Sequence, residues 1–147
     1  MLIDEQTIQD LEFDIVRSFL AEQCKSEKAK FNALRITPFS SIDDVKKEFA
    51  ILREIKSIYE NDTISFPHSS SEDIDHALKV LRVENGVLSL EELVRVYQLC
   101  LGTDALVKFS KKNQHEYPNI WQSCEHIERV KDIIKLIRSI LNKNLEI

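Results

Sequence analysis

Glycine and proline are scarce here, with 2 and 3 among 147 residues. All-β chains need frequent turn residues, so the scarcity excludes a sandwich or barrel and points to long helices with few connections. Cysteine is also sparse. Cys24, Cys100 and Cys124 are an odd number at wide spacing with no C-x-x-C. That excludes a disulfide framework and reads as reduced thiols of a cytoplasmic protein, mostly core filler. The longest uninterrupted apolar run is four residues, Phe49-Ala50-Ile51-Leu52. A membrane span needs about 20, so no membrane partner is expected. The first twenty residues hold five acids against one base, Arg17, which does not read as a secretory leader. No Gly-rich loop occurs to cradle phosphates, no G-x-S-x-G is present, and the cysteines lack a nucleophile's neighbourhood. The expectation is no catalytic residue, no cofactor site and no enzyme activity in these 147 positions.

What is present is a globular composition: 43% hydrophobic and 31% charged residues. The length matches one domain by the usual size range, so residues 1–147 are expected to form a single helical domain. The net charge is −5, from 20 basic and 25 acidic side chains. Residues 1–74 carry 9 basic and 15 acidic groups, and residues 75–147 carry 11 and 10. Neither half has the basic footprint that neutralises nucleic-acid phosphates. Weak DNA binding or none is expected of this stretch alone.

The clearest local signal is Asn85-Gly86-Val87-Leu88-Ser89-Leu90-Glu91-Glu92-Leu93. Gly86 is expected to take the left-handed conformation and end a helix near Glu84. Ser89 and Glu92 have capping-box spacing for a long helix starting at Leu90, with Leu88 and Leu93 placed as a staple. Around this turn the apolar spacing predicts further helices. One runs from Leu11 to about Gln23 with Leu11, Ile15, Phe19 and Leu20 on its face, and a short one follows a cap at Ser26. Thr37-Pro38 closes that helix. Ser41 caps the next, whose stripe is Ile42, Val45, Phe49, Leu52 and Tyr59, ending near Asn61. Thr63 to Ser71 reads as a polar loop, and Ser71 as the start of a helix with Ile74, Ala77, Leu78 and Leu81 inward. The helix from Leu90 carries Gly102 inside it, a weak point costing about 1 kcal/mol against alanine. After a polar connector from Lys111 to Pro118, a last helix is predicted from about Asn119 to Asn142, with a bend near Cys124. Its stripe is Ile127, Val130, Ile134, Ile137 and Leu141, widened by Ile133, Leu136 and Ile140. The fold class is therefore an all-α, multi-helix bundle with a long C-terminal helix.

Three side-chain groups could carry more than structure. His115, Cys124 and His126, with Glu125 or Glu128, contain metal-ligating types, but C-x-H supplies one thin pair where a closed zinc site wants paired ligands from two sides; surface and packing roles account for them. Lys25, Lys28, Lys30 and Arg35 around Phe31 form the best basic patch, which a solvated helix face explains and a backbone contact to nucleic acid could use within a larger assembly. Trp121 is either core or an anchor for a partner.

Three segments, in order, resemble a known family. They are Leu11-Glu12-Phe13-Asp14-Ile15 followed by the Pro38-Phe39-Ser40-Ser41 turn, then Ser71-Glu72-Asp73-Ile74 leading to Leu78-Lys79-Val80-Leu81, then Gly86-Val87-Leu88-Ser89-Leu90-Glu91-Glu92-Leu93. Their order and spacing are similar to the N-terminal helical core of MutS-family proteins, in the branch that lacks the mismatch-reading domain. The likeness spans Leu11 to about Ile147, and Asn142-Lys143-Asn144-Leu145-Glu146-Ile147 is similar to the turn before the family's lever arms. Ser69-Ser70 stands where the family often has Gly-Gly, and Glu27-Lys28-Ala29 where it often has a glycine. The resemblance implies an N-terminal fragment of a longer MutS-like protein with a P-loop ATPase domain using ATP and Mg. It implies a parent that dimerises, binds branched or mismatched DNA, and serves repair, recombination control or, in some relatives, stalled ribosomes. In that setting the fragment would be a structural core relaying nucleotide state between ATPase and DNA-gripping arms. The alternative from the residues alone is a stand-alone helical protein-interaction module, docking partner helices on the last helix.

Overall fold

The structure, a computed structural model, describes residues 5–67, 73–127 and 130–145. The described residues form eight helices and no strand, a helical bundle. The expected helix start at Ser71, the Ser69-Ser70 pair and Glu128 lie outside the described residues. The chain divides into two compact units, Met1–Phe49 and Ala50–Ile147.

The first unit holds α1 (Glu5–Asp10), α2 (Phe13–Gln23), α3 (Glu27–Ala33) and the opening turns of α4 (Ile42–Glu60). Sequence spacing predicts one helix from Leu11, but the chain breaks at Leu11-Glu12. Glu12 sits in the left-handed region with φ 50°, after its amide has bonded back to the Gln9 carbonyl. A non-glycine residue there is uncommon and marks a corner. Arg17 binds the unit together: its guanidinium lies 4.8 Å from the Phe13 ring centre and donates to the Ile36 carbonyl and to Asp14, both at 2.7 Å. Ser26 caps α3 by accepting from the Ala29 amide, as its sequence position predicts. α2 packs on α3, and the buried residue of each is an alanine, Ala21 and Ala33. The predicted core face of α2 is instead open, with Ile15, Phe19 and Leu20 all exposed. Ser41 caps α4 through the Asp44 amide.

The second unit is built around Ile58, Tyr117 and Ile120, with Ile51, Ile55, Ile64, Phe66 and Phe109 packed against them. Phe66 meets Phe109 edge-on at 5.4 Å, a favoured aromatic geometry. The segment from Thr63 is thus a loop in form but not wholly polar in role, because Ile64 and Phe66 reach into the core. The buried face of α4 is Ile51, Ile55 and Ile58, not the predicted stripe that includes Leu52 and Tyr59. Both sets recur at helical spacing; the partners that reach α4 from Tyr117 and Ile120 selected one of them. α5 (Asp75–Leu81) ends three residues before Glu84. α6 (Leu90–Lys112) passes through Gly102 unbroken.

The predicted last helix is two helices. α7 (Pro118–Cys124) and α8 (Val130–Leu145) are separated by a turn that opens at Glu125. Pro118 takes the first position of α7, where its missing N–H costs nothing. Glu54 of α4 supplies the rest of that helix start, accepting from the backbone amides of Asn119 at 3.0 Å and Ile120 at 2.8 Å. α8 lies along α6 with Ile134, Ile137 and Leu141 buried, the stripe its spacing predicts. Arg138 donates to the Tyr97 hydroxyl across the same pair of helices. Ile133, Leu136 and Ile140 do not join that core and are exposed. No helix among the described residues is long and apolar enough to cross a membrane.

Candidate functional site

The turn between α5 and α6 is the most tightly specified place in the chain. Ser89 accepts from the Glu92 amide, and the Glu92 carboxylate accepts from the Ser89 amide at 2.9 Å and hydroxyl at 2.8 Å, completing the capping box. The ring of His76, on α5, also binds the Glu92 carboxylate. One side chain therefore caps α6 and ties it to α5. These bonds hold the Glu92 carboxyl well below the usual carboxylate range, at about 2; the Ser89 amide is the largest cause, then the Ser89 hydroxyl, then His76. A carboxyl lowered on folding stabilises the fold above its ordinary range and loses that effect as pH falls. The gap in stability between the wild type and Glu92→Gln is thus expected to shrink between pH 5 and pH 2, measured by urea unfolding.

The left-handed residue at this turn is Asn85, with φ 61°, and not Gly86. Asparagine tolerates that region better than most residues, which frees the glycine for another task. Gly86 donates to the Val83 carbonyl at 2.9 Å, and a Cβ on it would lie 2.0 Å from the Val80 carbonyl oxygen. The glycine is required by close approach to backbone. Gly86→Ala is expected to destabilise by about 1–3 kcal/mol through overpacking, read by thermal or urea unfolding. Asn85→Ala should cost less, since it leaves the Val80 carbonyl untouched.

Reactive groups do not converge. No three His, Cys, Asp or Glu side chains gather in metal-binding geometry among the described residues. Of the predicted ligand types, Cys124 is buried in α7 while His126 lies past its end. The three cysteines are free thiols, and burial pushes the Cys100 thiol up, away from the reactive thiolate. In the basic patch, Lys30 pairs with Glu27 at 2.7 Å, and the Arg35 guanidinium stacks 4.2 Å from the Phe31 ring centre. Those partners are local, so the patch is partly neutralised.

Trp121 is half-buried at a cleft of about 460 Å³ between α6, α7 and α8. Lys108, Lys111 and Lys131 stand on its rim with Asp104, Glu125 and Asp132. Lys108 already pairs with Asp104 at 2.6 Å. Equal numbers of both signs favour neither an anionic nor a cationic ligand.

What the surface offers instead is apolar helix. Exposed apolar side chains stand at Ile15, Phe19 and Leu20 on α2, Phe49 and Leu52 on α4, and Ile133, Leu136 and Ile140 on α8. Sequence periodicity finds these residues but takes them for core, because spacing alone does not say which of two apolar faces meets a partner. Compared with family models, with curated proteins and with solved structures, the chain matches none.

Proposed function

We propose that this chain is the N-terminal helical core of a MutS-like DNA-maintenance ATPase, a strut that carries no chemistry of its own. The observation that carries the reading is the apolar side chains left exposed on the helices: Ile15, Phe19 and Leu20 on α2 and Ile133, Leu136 and Ile140 on α8. Helices that leave such faces open suit a piece whose remaining core is supplied by further helices. The faces on α2 and α8 are the ones such helices would cover. The ordered resemblance of the three segments supplies the family, and the acidic balance of residues 1–74 agrees with DNA contacts made elsewhere.

In this reading ATP and Mg bind the parent outside these residues, and the helices transmit the nucleotide state as stiff elements. The test is the downstream reading frame: a G-x-x-x-x-G-K-[ST] sequence a few hundred residues on is expected. A stop directly after codon 147 would instead favour the stand-alone interaction module. A second measurement is DNA affinity of residues 1–147 by fluorescence anisotropy at physiological salt. No binding tighter than about micromolar is expected, since six to ten phosphate contacts would need a basic face.

A further inference from the structure

We propose that Asn85 is a site of self-modification, guarded by the closed turn between α5 and α6 and converted irreversibly to isoaspartate when that turn opens. Among the seven asparagines, Asn85 alone is followed by glycine. The chemistry needs that neighbour. The amide nitrogen of the following residue, once deprotonated, attacks the carbonyl carbon of the asparagine side chain. A C–N bond forms, the side-chain nitrogen leaves as ammonia, and a five-membered succinimide results. Water then opens the ring at either carbonyl, giving aspartate or isoaspartate. A side chain on the second residue shields the nucleophile, and glycine has none. The other asparagines precede Ala33, Asp62, Gln114, Ile120, Lys143 and Leu145. Asn61, Asn113 and Asn119 also hold their side chains in hydrogen bonds, to Thr63, the Phe109 carbonyl and Glu54.

The fold presents the side chain and withholds the nucleophile. Asn85 is exposed, so water reaches it. The Gly86 nitrogen, however, donates its proton to the Val83 carbonyl at 2.9 Å, and deprotonation would break that bond. The Gly86 peptide is also held in place. It packs so closely on the Val80 backbone that not even a Cβ would fit, and Asn85 before it is fixed at φ 61°. The reaction therefore runs through the opened turn. Opening is opposed by the Glu92 carboxylate, which completes the cap of α6 and binds His76 of α5. Isoaspartate routes the main chain through the former side chain and lengthens it by one carbon. Inserted just ahead of Gly86, that carbon displaces the glycine from its seat on the Val80 carbonyl. The turn cannot close again as before, so the conversion both records the opening and fixes it.

Peptide mapping by mass spectrometry of the 147-residue chain at neutral pH tests this, with an isoaspartyl methyltransferase to mark the product. In urea, Asn85 is expected to convert ahead of every other asparagine, and Gly86→Ala to slow it severalfold. Without urea, conversion at Asn85 is expected to be at least about tenfold slower, as for a turn open less than about a tenth of the time. Glu92→Gln loosens the tie between α5 and α6. It should raise the rate in the folded chain severalfold and leave the rate in urea unchanged. Glu54→Ala, which frees α7 in the same unit, should leave both rates alone. A folded chain that converts as fast as the unfolded one overturns the proposal. So does another asparagine that converts first in urea, or a folded-state rate that Glu92→Gln raises no more than Glu54→Ala.

Discussion

Replacing Ile58 by alanine is expected to cost about 3–5 kcal/mol of unfolding free energy. Ile58 is 1% exposed and is held among Tyr117, Ile120, Phe66 and Phe109. The alanine would lose three carbons of buried surface and leave a cavity. Substitutions of this kind cost about 2–5 kcal/mol, more where the walls relax least. Here the walls include aromatic rings already in edge contact, and rings fill a lost volume poorly. Urea unfolding followed by circular dichroism gives the number. Leu136→Ala supplies the contrast: Leu136 is exposed on α8, so its removal is expected to change stability by no more than about 0.5 kcal/mol. If Leu136→Ala proves the costlier change, the buried side of these helices has been assigned wrongly.

Glu54→Ala is expected to cost about 2–4 kcal/mol by a different route. The Glu54 carboxylate caps α7 from a helix 65 residues earlier in the chain. It accepts from two backbone amides and from the Asn119 side chain at 2.5 Å. Tyr117, the residue at the cap position of α7, makes no side-chain cap bond. Deleting the carboxylate therefore strands donors at a partly buried helix start, and hydrogen bonds to charged groups contribute about 1.5–3 kcal/mol each. Amide hydrogen exchange locates the damage: Asn119 and Ile120 should lose protection while α8 keeps its own. Glu54→Gln retains one carbonyl acceptor, so it should recover part of the loss. Equal losses for alanine and glutamine would show that charge, and not hydrogen bonding, holds α7.

Local signals read correctly wherever the responsible residues are close together in the chain. Ser26, Ser41 and Ser89 each cap the helix that follows, because the accepting oxygen and the donating amide are three residues apart. The Glu54 cap was illegible for the opposite reason: nothing near Pro118 hints at a carboxylate supplied from α4. Nothing in the sequence announces the corner at Glu12, because an acidic residue gives no compositional sign of a left-handed backbone. At Asn85-Gly86 the sequence marks the turn, but the left-handed residue is Asn85 and not the glycine. The need for glycine came from the Val80 carbonyl, a contact that spacing does not encode.

The candidate surfaces divide in the same way. The stripe of Ile42, Val45, Phe49 and Leu52 on α4 is a property of the sequence, visible as intervals of three and four. That Phe49 and Leu52 are exposed was decided by tertiary packing, since Ile51, Ile55 and Ile58 are spaced as regularly and took the core instead. Composition and periodicity by themselves determined the helical class and most helix starts, because backbone bonds and caps in a helix close within four residues. Which face of each helix is buried, and where the last helix breaks, were decided by the folded chain. Burial is a relation between residues distant in sequence, and apolar periodicity is satisfied equally by any partner that arrives.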